Sequence, residues 1–498
     1  MNVNPITRLD YPDLDVIRVE DTYYMVSTTM HFMPGCEILQ SFDLVHWEHV
    51  TYVYETLDHT DAQQLKSGQN IYGQGMWAAS LRYHEGRFYI CFVANDTRKT
   101  YLYTSEKIDG PWKKQLIEGF YHDGSLLFDE DGRNYIVYGN DEIWITELNE
   151  DLTAPKKDGL HRLLVSDHKN PELGYEGSHI QKINGYYYIF LIHSLRDRWM
   201  RTEACFYSDS LEGEFTGGDV LCDDRGYCGQ GVAQGGIVDT PDGKWYAMLF
   251  QDSGAVGRIP ILLPVTWKDH FPFFGQNGHV PEEIEVHSTR PGYIYQPLVG
   301  SDDFCNGLLP RWQFNHDPDP RYYHLDALQG TYTITTREVC TELTQAVNTL
   351  TQRMSYPSCA AEVTVDASAL KEGDVAGLCA LQSCYAAVGI TKHHGKYEVL
   401  MLDKKEDGIL DMTEGTVVES HQMDFRLEAD FCNMKDEARC YYRVNKGDWL
   451  PIGNVHKLYF KLDHFTGCRF GLFCYAAEET GGSACFRDFK YYDVDEIS

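Results

Sequence analysis

The sequence predicts an all-β protein, a five-bladed β-propeller followed by a β-sandwich of jelly-roll or lectin-like type. Three observations predict it. Five stretches repeat one hairpin pattern at a blade-like spacing, the last two-fifths of the chain alternates apolar and polar residues over many short segments, and helix signals are nearly absent.

The five stretches are VIRVEDTYYMV (16 to 26), LRYHEGRFYIC (81 to 91), LLFDEDGRNYIV (126 to 137), IQKINGYYYIF (180 to 190) and IVDTPDGKWYAM (237 to 248). Each is a short apolar run, a turn rich in Gly, Asp or Asn, and an aromatic run, which is the signature of a β-hairpin. Anchored on Tyr24, Tyr89, Tyr135, Tyr188 and Tyr246, the steps are 65, 46, 53 and 58 residues. That period suits four-stranded blades.

A second regularity lies upstream of the anchors. Twelve residues before the last four tyrosines stand Trp77, Asp123, Glu176 and Gln234, and eleven before Tyr24 stands Asp13. The shorter count in the first blade calls for a bulge or a tighter turn to bring Asp13 into line. Taken singly, Pro12-Asp13 reads as a turn former, Glu176 as a solvated loop residue, Asp123 as a turn cap and Trp77 as core. Blade equivalence changes that reading, because a structural role would repeat one residue type around the ring. Three carboxylates and an aromatic converging on one axis match a sugar-cleaving pocket, which needs two carboxyl groups across the scissile bond and an apolar face for the ring.

The repeats end with GRIPILLPVTWKDHFPFFG (257 to 275), and STRPGYIYQPLVGSDDF (288 to 304) reads as a crossing linker. The propeller is therefore assigned to residues 1–295 and the sandwich to 303–498. Segments of period-two patterning in the second part include TYTITTR (331 to 337), AAEVTVDA (360 to 367), YAAVGITKHHGKYEVLML (385 to 402), RFGLFCYAA (469 to 477) and CFRDFKYYDV (485 to 494). The one piece expected to make a short helical turn is SALKEGDVAGL (368 to 378).

A chain of 498 residues is long for one domain and comfortable for two. Its formal charge of −32 repels phosphate backbones and anionic membrane surfaces, so neither nucleic acid nor membrane is an expected partner, and a small neutral oligosaccharide is. Aromatics at 13% serve both strand propensity and stacking on sugars. The N-terminus has no basic region followed by an apolar run, and no apolar stretch is long enough to span a bilayer, so a cytoplasmic location is expected. Fifteen cysteines without CxxC pairs suggest neither a zinc cage nor a disulfide framework. No cofactor is called for. Asp123, Asp129, Glu130 and Asp131 crowd one hairpin but lack EF-hand spacing, so a structural calcium ion is compatible with the charge without being indicated. The sequence leaves room for a homo-oligomer.

The opening NPITRLDYPDLDVIRVEDTYYMVSTT, with GMWAASLRYHEGRFYI, HDGSLLFDEDGRNYIVYG and YEGSHIQKINGYYYIF, resembles glycoside hydrolase family 43. The resemblance implies a five-bladed propeller with a C-terminal sandwich and β-xylosidase or α-L-arabinofuranosidase activity. It implies Asp13 of YPDLD as general base, Asp123 of HDGS as orienting carboxylate and Glu176 of YEGSH as general acid. Trp77 of MWA and Arg258 of VGRIP would face the sugar, with His31 and Phe32 of HFMPG at the rim and Gln234 of VAQGG at the fifth blade. Two departures stand out. HFMPG replaces a more aromatic segment, and Gln234 occupies a place where many members carry a histidine associated with an ion, which argues against a central metal. The reading is an exo-acting, inverting β-1,4-xylosidase. An α-L-arabinofuranosidase or bifunctional enzyme is the alternative, and a non-catalytic carbohydrate-binding propeller the remoter one.

Overall fold

In a computed structural model, which describes residues 3–493, five four-stranded antiparallel sheets stand around one axis. Their innermost strands are Asp15–Val19, Met76–His84, Ser125–Phe128, Glu176–Ile183 and Ala233–Asp239, each continued by the aromatic strand of its hairpin. Neighbouring innermost strands pack on one another around the axis. A buried polar network pins them there. Arg82 donates to Asp15 Oδ2 (2.7 Å), to Ser125 Oγ (2.7 Å) and to the Ile180 carbonyl (3.1 Å), and His179 Nδ1 lies 3.2 Å from Asp15 Oδ1. Although Asp15 is fully buried, Arg82 and His179 outweigh desolvation and bring its carboxyl down to about 2.

The ring is closed by the start of the chain. Ile6 N–H donates to the Pro260 carbonyl (2.8 Å), Tyr11 N–H to that of Arg258 (3.0 Å), and the Asn4 side chain exchanges two bonds with the Leu262 backbone (2.8 Å each). The apolar side chains Ile6, Leu9, Tyr11 and Leu14 share one core with Met248, Phe250 and Leu262 of the fifth blade, so burial as well as backbone pairing joins the two ends.

Pairing register corrects the residue count. Ile17, Arg82, Leu127, Gln181 and Val238 pair with the five anchor tyrosines. Four residues before each stand Asp13, Ala78, Asp123, Gly177 and Gln234, and all five have positive φ, at 51°, 39°, 48°, 63° and 61°. These are the true equivalents. Trp77 and Glu176 come one residue earlier, with His122 as their counterpart in blade three. The discrepancy arises in the hairpin loops: two residues separate the paired strands in blades one, two and four, and five do so in blades three and five. Asp13 therefore needs no special bulge, because blades two and four share its count.

The second unit is a sandwich of a nine-stranded and a seven-stranded sheet. The alternating segments form the expected strands, among them Ser358–Asp366, Ala386–His393, Lys396–Lys404, Arg469–Ala476 and Ser483–Asp493. The piece expected to make a short turn does turn, at residues 368–369 and 372–373, and then enters strand Asp374–Leu381, whose Val375, Ala376, Leu378 and Ala380 are buried in the core. Phe32–Met33, a two-residue strand of the propeller, pairs with Gln313–Asn315 and forms an edge of the nine-stranded sheet. Ala255, Val256 and Ile259 of the propeller belong to the sandwich core. All fifteen cysteines are free thiols, and Cys379, Cys384, Cys440, Cys468 and Cys474 are buried small hydrophobes, while Cys432 sits exposed in a turn. No helix among the described residues is long and apolar enough to cross a membrane.

Candidate active site

The left-handed turn at residue 13 places Asp13 at the head of the first innermost strand. The Pro12 carbonyl accepts from Thr28 N–H (3.2 Å) and the Ser27 hydroxyl (2.6 Å), which ties the turn to the next strand. Asp13 Oδ1 accepts from Arg258 Nη1 (2.8 Å) and Oδ2 from the Thr28 hydroxyl (2.7 Å). Thr28 Oγ1 in turn accepts from Ala78 N–H (2.8 Å), so its proton is committed to Asp13. Both oxygens of Asp13 thus act as acceptors, the state of a carboxylate able to take a proton from water.

Arg258 is almost wholly buried, with its guanidinium 4.2 Å from the ring centre of Phe465 and 5.3 Å from that of Phe250. A cation so buried needs a charged partner, and Asp13 is that partner.

A second group lies near enough for the Asp13 charge to act on it. Asp123 Oδ2 accepts from Gly177 N–H (2.9 Å), and Asn140 Nδ2 donates to Glu176 Oε2 (2.7 Å). His122 Nε2 stands between them, 3.6 Å from Asp123 Oδ2 and 3.5 Å from Glu176 Oε2. Burial, opposed by His122 and reinforced by the negative charges of Glu176 and Asp13, pushes the Asp123 carboxyl up to about 6. Asp123 most of all, with Glu176 and Asp13, pushes His122 up to about 9 despite its burial. Between those values the pair is an imidazolium facing a carboxylate. Asp13 and Asp123 are nearly covered, whereas Glu176 keeps 22% of its side chain exposed, as a group that must reach a leaving oxygen requires. Ligand atoms of His122, Asp123 and Glu176 lie within 4.8 Å of one another and could hold a divalent cation, at the expense of the proton that an acid must donate.

A cavity of about 790 Å³ opens over this floor. The propeller lines it with Trp77, His122, Asn140 and Glu176, and the sandwich walls it with the segment 457–465, including Phe460 and Phe465. Trp77 lies 5.5 Å from Phe465 between ring centres, giving two apolar faces beside the acids. Asp10 anchors that wall by accepting from Arg258 N–H (2.7 Å) and Gly467 N–H (2.8 Å).

Trp77 and Glu176 therefore line the cavity, while Asp123 stands behind His122, and Arg258, with Asp13 as its partner, behind Phe465. His31, Phe32 and Gln234 do not reach the cavity. His31 is fully buried against Phe32, Tyr72, His316 and His464, and the Phe32 ring carries the Arg469 guanidinium 3.4 Å from its centre. The strand that joins the sandwich sheet draws both residues into the seam between the two units. Gln234 packs beneath Gly177, held by a bond from its N–H to Glu203 Oε2 (2.7 Å). The sequence reading missed His122, Asn140, Phe460 and Phe465. Only His122 had a signal, because counting from hairpin partners instead of the tyrosines puts it level with Trp77 and Glu176.

The family model for glycosyl hydrolases family 43 matches residues 3–272, and that for the beta xylosidase C-terminal concanavalin A-like domain matches residues 301–492. The chain is 26% identical to a beta-xylosidase of Formosa agariphila over 554 residues, covering 99% of this chain and 89% of that one. It is 42% identical to the solved structure of a bifunctional GH43-CE protein of Bacteroides eggerthii, with a TM-score of 0.93, spanning all of this chain and 64% of that one. A solved GH43 glycoside hydrolase, engineered to display both endo-xylanase and exo-arabinofuranosidase activity, is 27% identical with a TM-score of 0.86 over 99% of each chain. With propeller, acid-lined floor and family model in agreement, the chain belongs to glycoside hydrolase family 43.

Proposed function

We propose that this glycoside hydrolase is an exo-acting, inverting β-1,4-xylosidase that releases single pentoses from the ends of small xylo-oligosaccharides. The observation that carries the reading is the wall of Phe460 and Phe465, set against Trp77 beside Glu176 in one cavity. Sandwich residues close one side of the cavity, which favours a chain end over the middle of a polymer, and the rings match the apolar faces of a xylose unit. The name of the Formosa relative supports xylose as the sugar.

Asp13 removes a proton from a water molecule as that water attacks the anomeric carbon, and Glu176 gives its proton to the departing oxygen. Arg258 and Thr28 hold Asp13 in the orientation for this, and Asp123 with His122 sets the charge around Glu176. These steps need only the two acids and water, with no cofactor. Free thiols throughout favour a reducing compartment and hence the cytoplasm.

An α-L-arabinofuranosidase is the second reading, favoured by the exo-arabinofuranosidase activity of the engineered GH43 structure. Turnover of aryl β-xylopyranoside against aryl α-L-arabinofuranoside tests the choice. Proton NMR of the fresh xyloside reaction must show α-xylose first; initial β-xylose means a covalent intermediate and removes Asp13 as base. Failure on both glycosides leaves the carbohydrate-binding propeller.

A further inference from the structure

Glu176 hands its proton to the departing oxygen, so the departing sugar has to lie on the Glu176 side of the cavity, away from Asp13 and Arg258. That side is built by blade four. Glu172, Leu173, Trp199 and Arg201 all line the cavity there. The loop bearing Trp199 is closed by Leu195 N–H donating to the Met200 carbonyl (3.1 Å), and its neighbour by Ser194 N–H donating to that of Leu173 (3.0 Å).

Trp199 leaves 46% of its surface exposed, an unusual state for a tryptophan that nothing apolar covers. Its ring is braced by the Arg201 guanidinium, 5.5 Å from the ring centre, which in turn lies 5.3 Å from that of Phe250. Arg201 Nη1 is committed to Asp252 Oδ2 (2.5 Å), Nε is buried without a partner, and Nη2 makes no hydrogen bond or ion pair among the described residues. A flat ring and a free donor lie side by side in the cavity.

We propose that Trp199 and Arg201 form the binding site of the leaving unit, with the pyranose ring stacking on Trp199 and a ring hydroxyl accepting from Arg201 Nη2. The proposal rests on the xylosidase reading above. Asp252 already compensates the charge of Arg201, and Glu172 and Asp436 add two more carboxyl groups to the cavity lining, so an acidic sugar is disfavoured. The ligand is a neutral pyranose.

The test compares two substrates that share the xylosyl group. In xylobiose the leaving unit is a sugar; in a xylosyl fluoride it is a single atom. Trp199→Ala should lower kcat/KM for xylobiose about tenfold more than for the fluoride, the loss matching about 1.4 kcal/mol of stacking, and Trp199→Phe should recover most of it. Equal losses on the two substrates, or none on xylobiose, overturn the leaving-unit site while the xylosidase reading stands. A wild-type protein inert towards both overturns that reading and the site with it.

Discussion

Arg258 in the fifth blade donates from Nη1 to Oδ1 of Asp13 in the first, 2.8 Å away and across the closure of the propeller ring. The ion pair is buried on both sides, so each charge depends on the other. Arg258→Met should cost about 3–5 kcal/mol of stability and at least a hundredfold in kcat/KM. Arg258→Lys keeps the charge and should be milder on both counts. Denaturant titration and steady-state kinetics on the same preparations check this.

The proposed mechanism gives the two acids different proton transfers, and the leaving group tells them apart. Glu176→Ala should retain far more activity on an activated aryl xyloside than on xylobiose, because a good leaving group needs little protonation. Asp13→Ala should lose both substrates by about a thousandfold or more, in keeping with loss of a general base. Parallel losses in the Glu176 variant would remove it as the acid.

Asp123 is held near 6 by its site, above its ordinary 3.8, which has a defined sign for stability. Below 3.8 the carboxyl is neutral in both folded and unfolded chains and contributes no difference. As the pH rises through 6 the folded protein bears the cost of a buried anion, about 3 kcal/mol in full. Asp123→Asn should therefore raise the melting temperature at pH 7 and leave it nearly unchanged at pH 3.5, while abolishing most of the activity. His122 has the opposite sense. Raised to about 9 chiefly by the Asp123 charge, it stabilises where Asp123 is ionised and loses that contribution as the pH climbs through 9, so His122→Asn should be most damaging between about 6 and 9 and milder below, where Asp123 is neutral.

Gly467 lies where the sandwich wall meets the propeller, and a Cβ there would come within 2.1 Å of the Val256 carbonyl oxygen. Gly467→Ala should push the wall and Phe465 outward, at about 1–3 kcal/mol of stability, and raise KM several-fold with a smaller change in kcat. Michaelis parameters on xylobiose measure it. A KM like that of the wild type would dissociate the wall from sugar binding.

The propeller is legible in the sequence because each inner hairpin repeats its apolar run and aromatic anchor, a pattern local enough to read along the chain. Asp13, Trp77, Asp123 and Glu176 are legible for the same reason, although the varying hairpin loops blurred their alignment and concealed His122. His31 and Phe32 were misplaced because their neighbours, His316 and Asn315, lie nearly 300 positions away in a sheet that local periodicity cannot see. Phe460 and Phe465 were invisible on the same ground. A loop between sandwich strands has no pattern of its own, and only the packing of one unit on the other turns it into a cavity wall.

The chain's interlocked ends also set the order in which it can be completed. Asn4 waits for Leu262, 258 positions later, and at about 5–20 residues per second of synthesis that is roughly 13 to 50 seconds with the first blade exposed. Phe32–Met33 waits longer still, for Gln313–Asn315. A fragment ending near residue 300 would close its ring yet present that strand as an uncovered edge, open to pairing with another copy. The two units are thus separable in sequence but not in biogenesis, and the second acts as the cover that the first is born without.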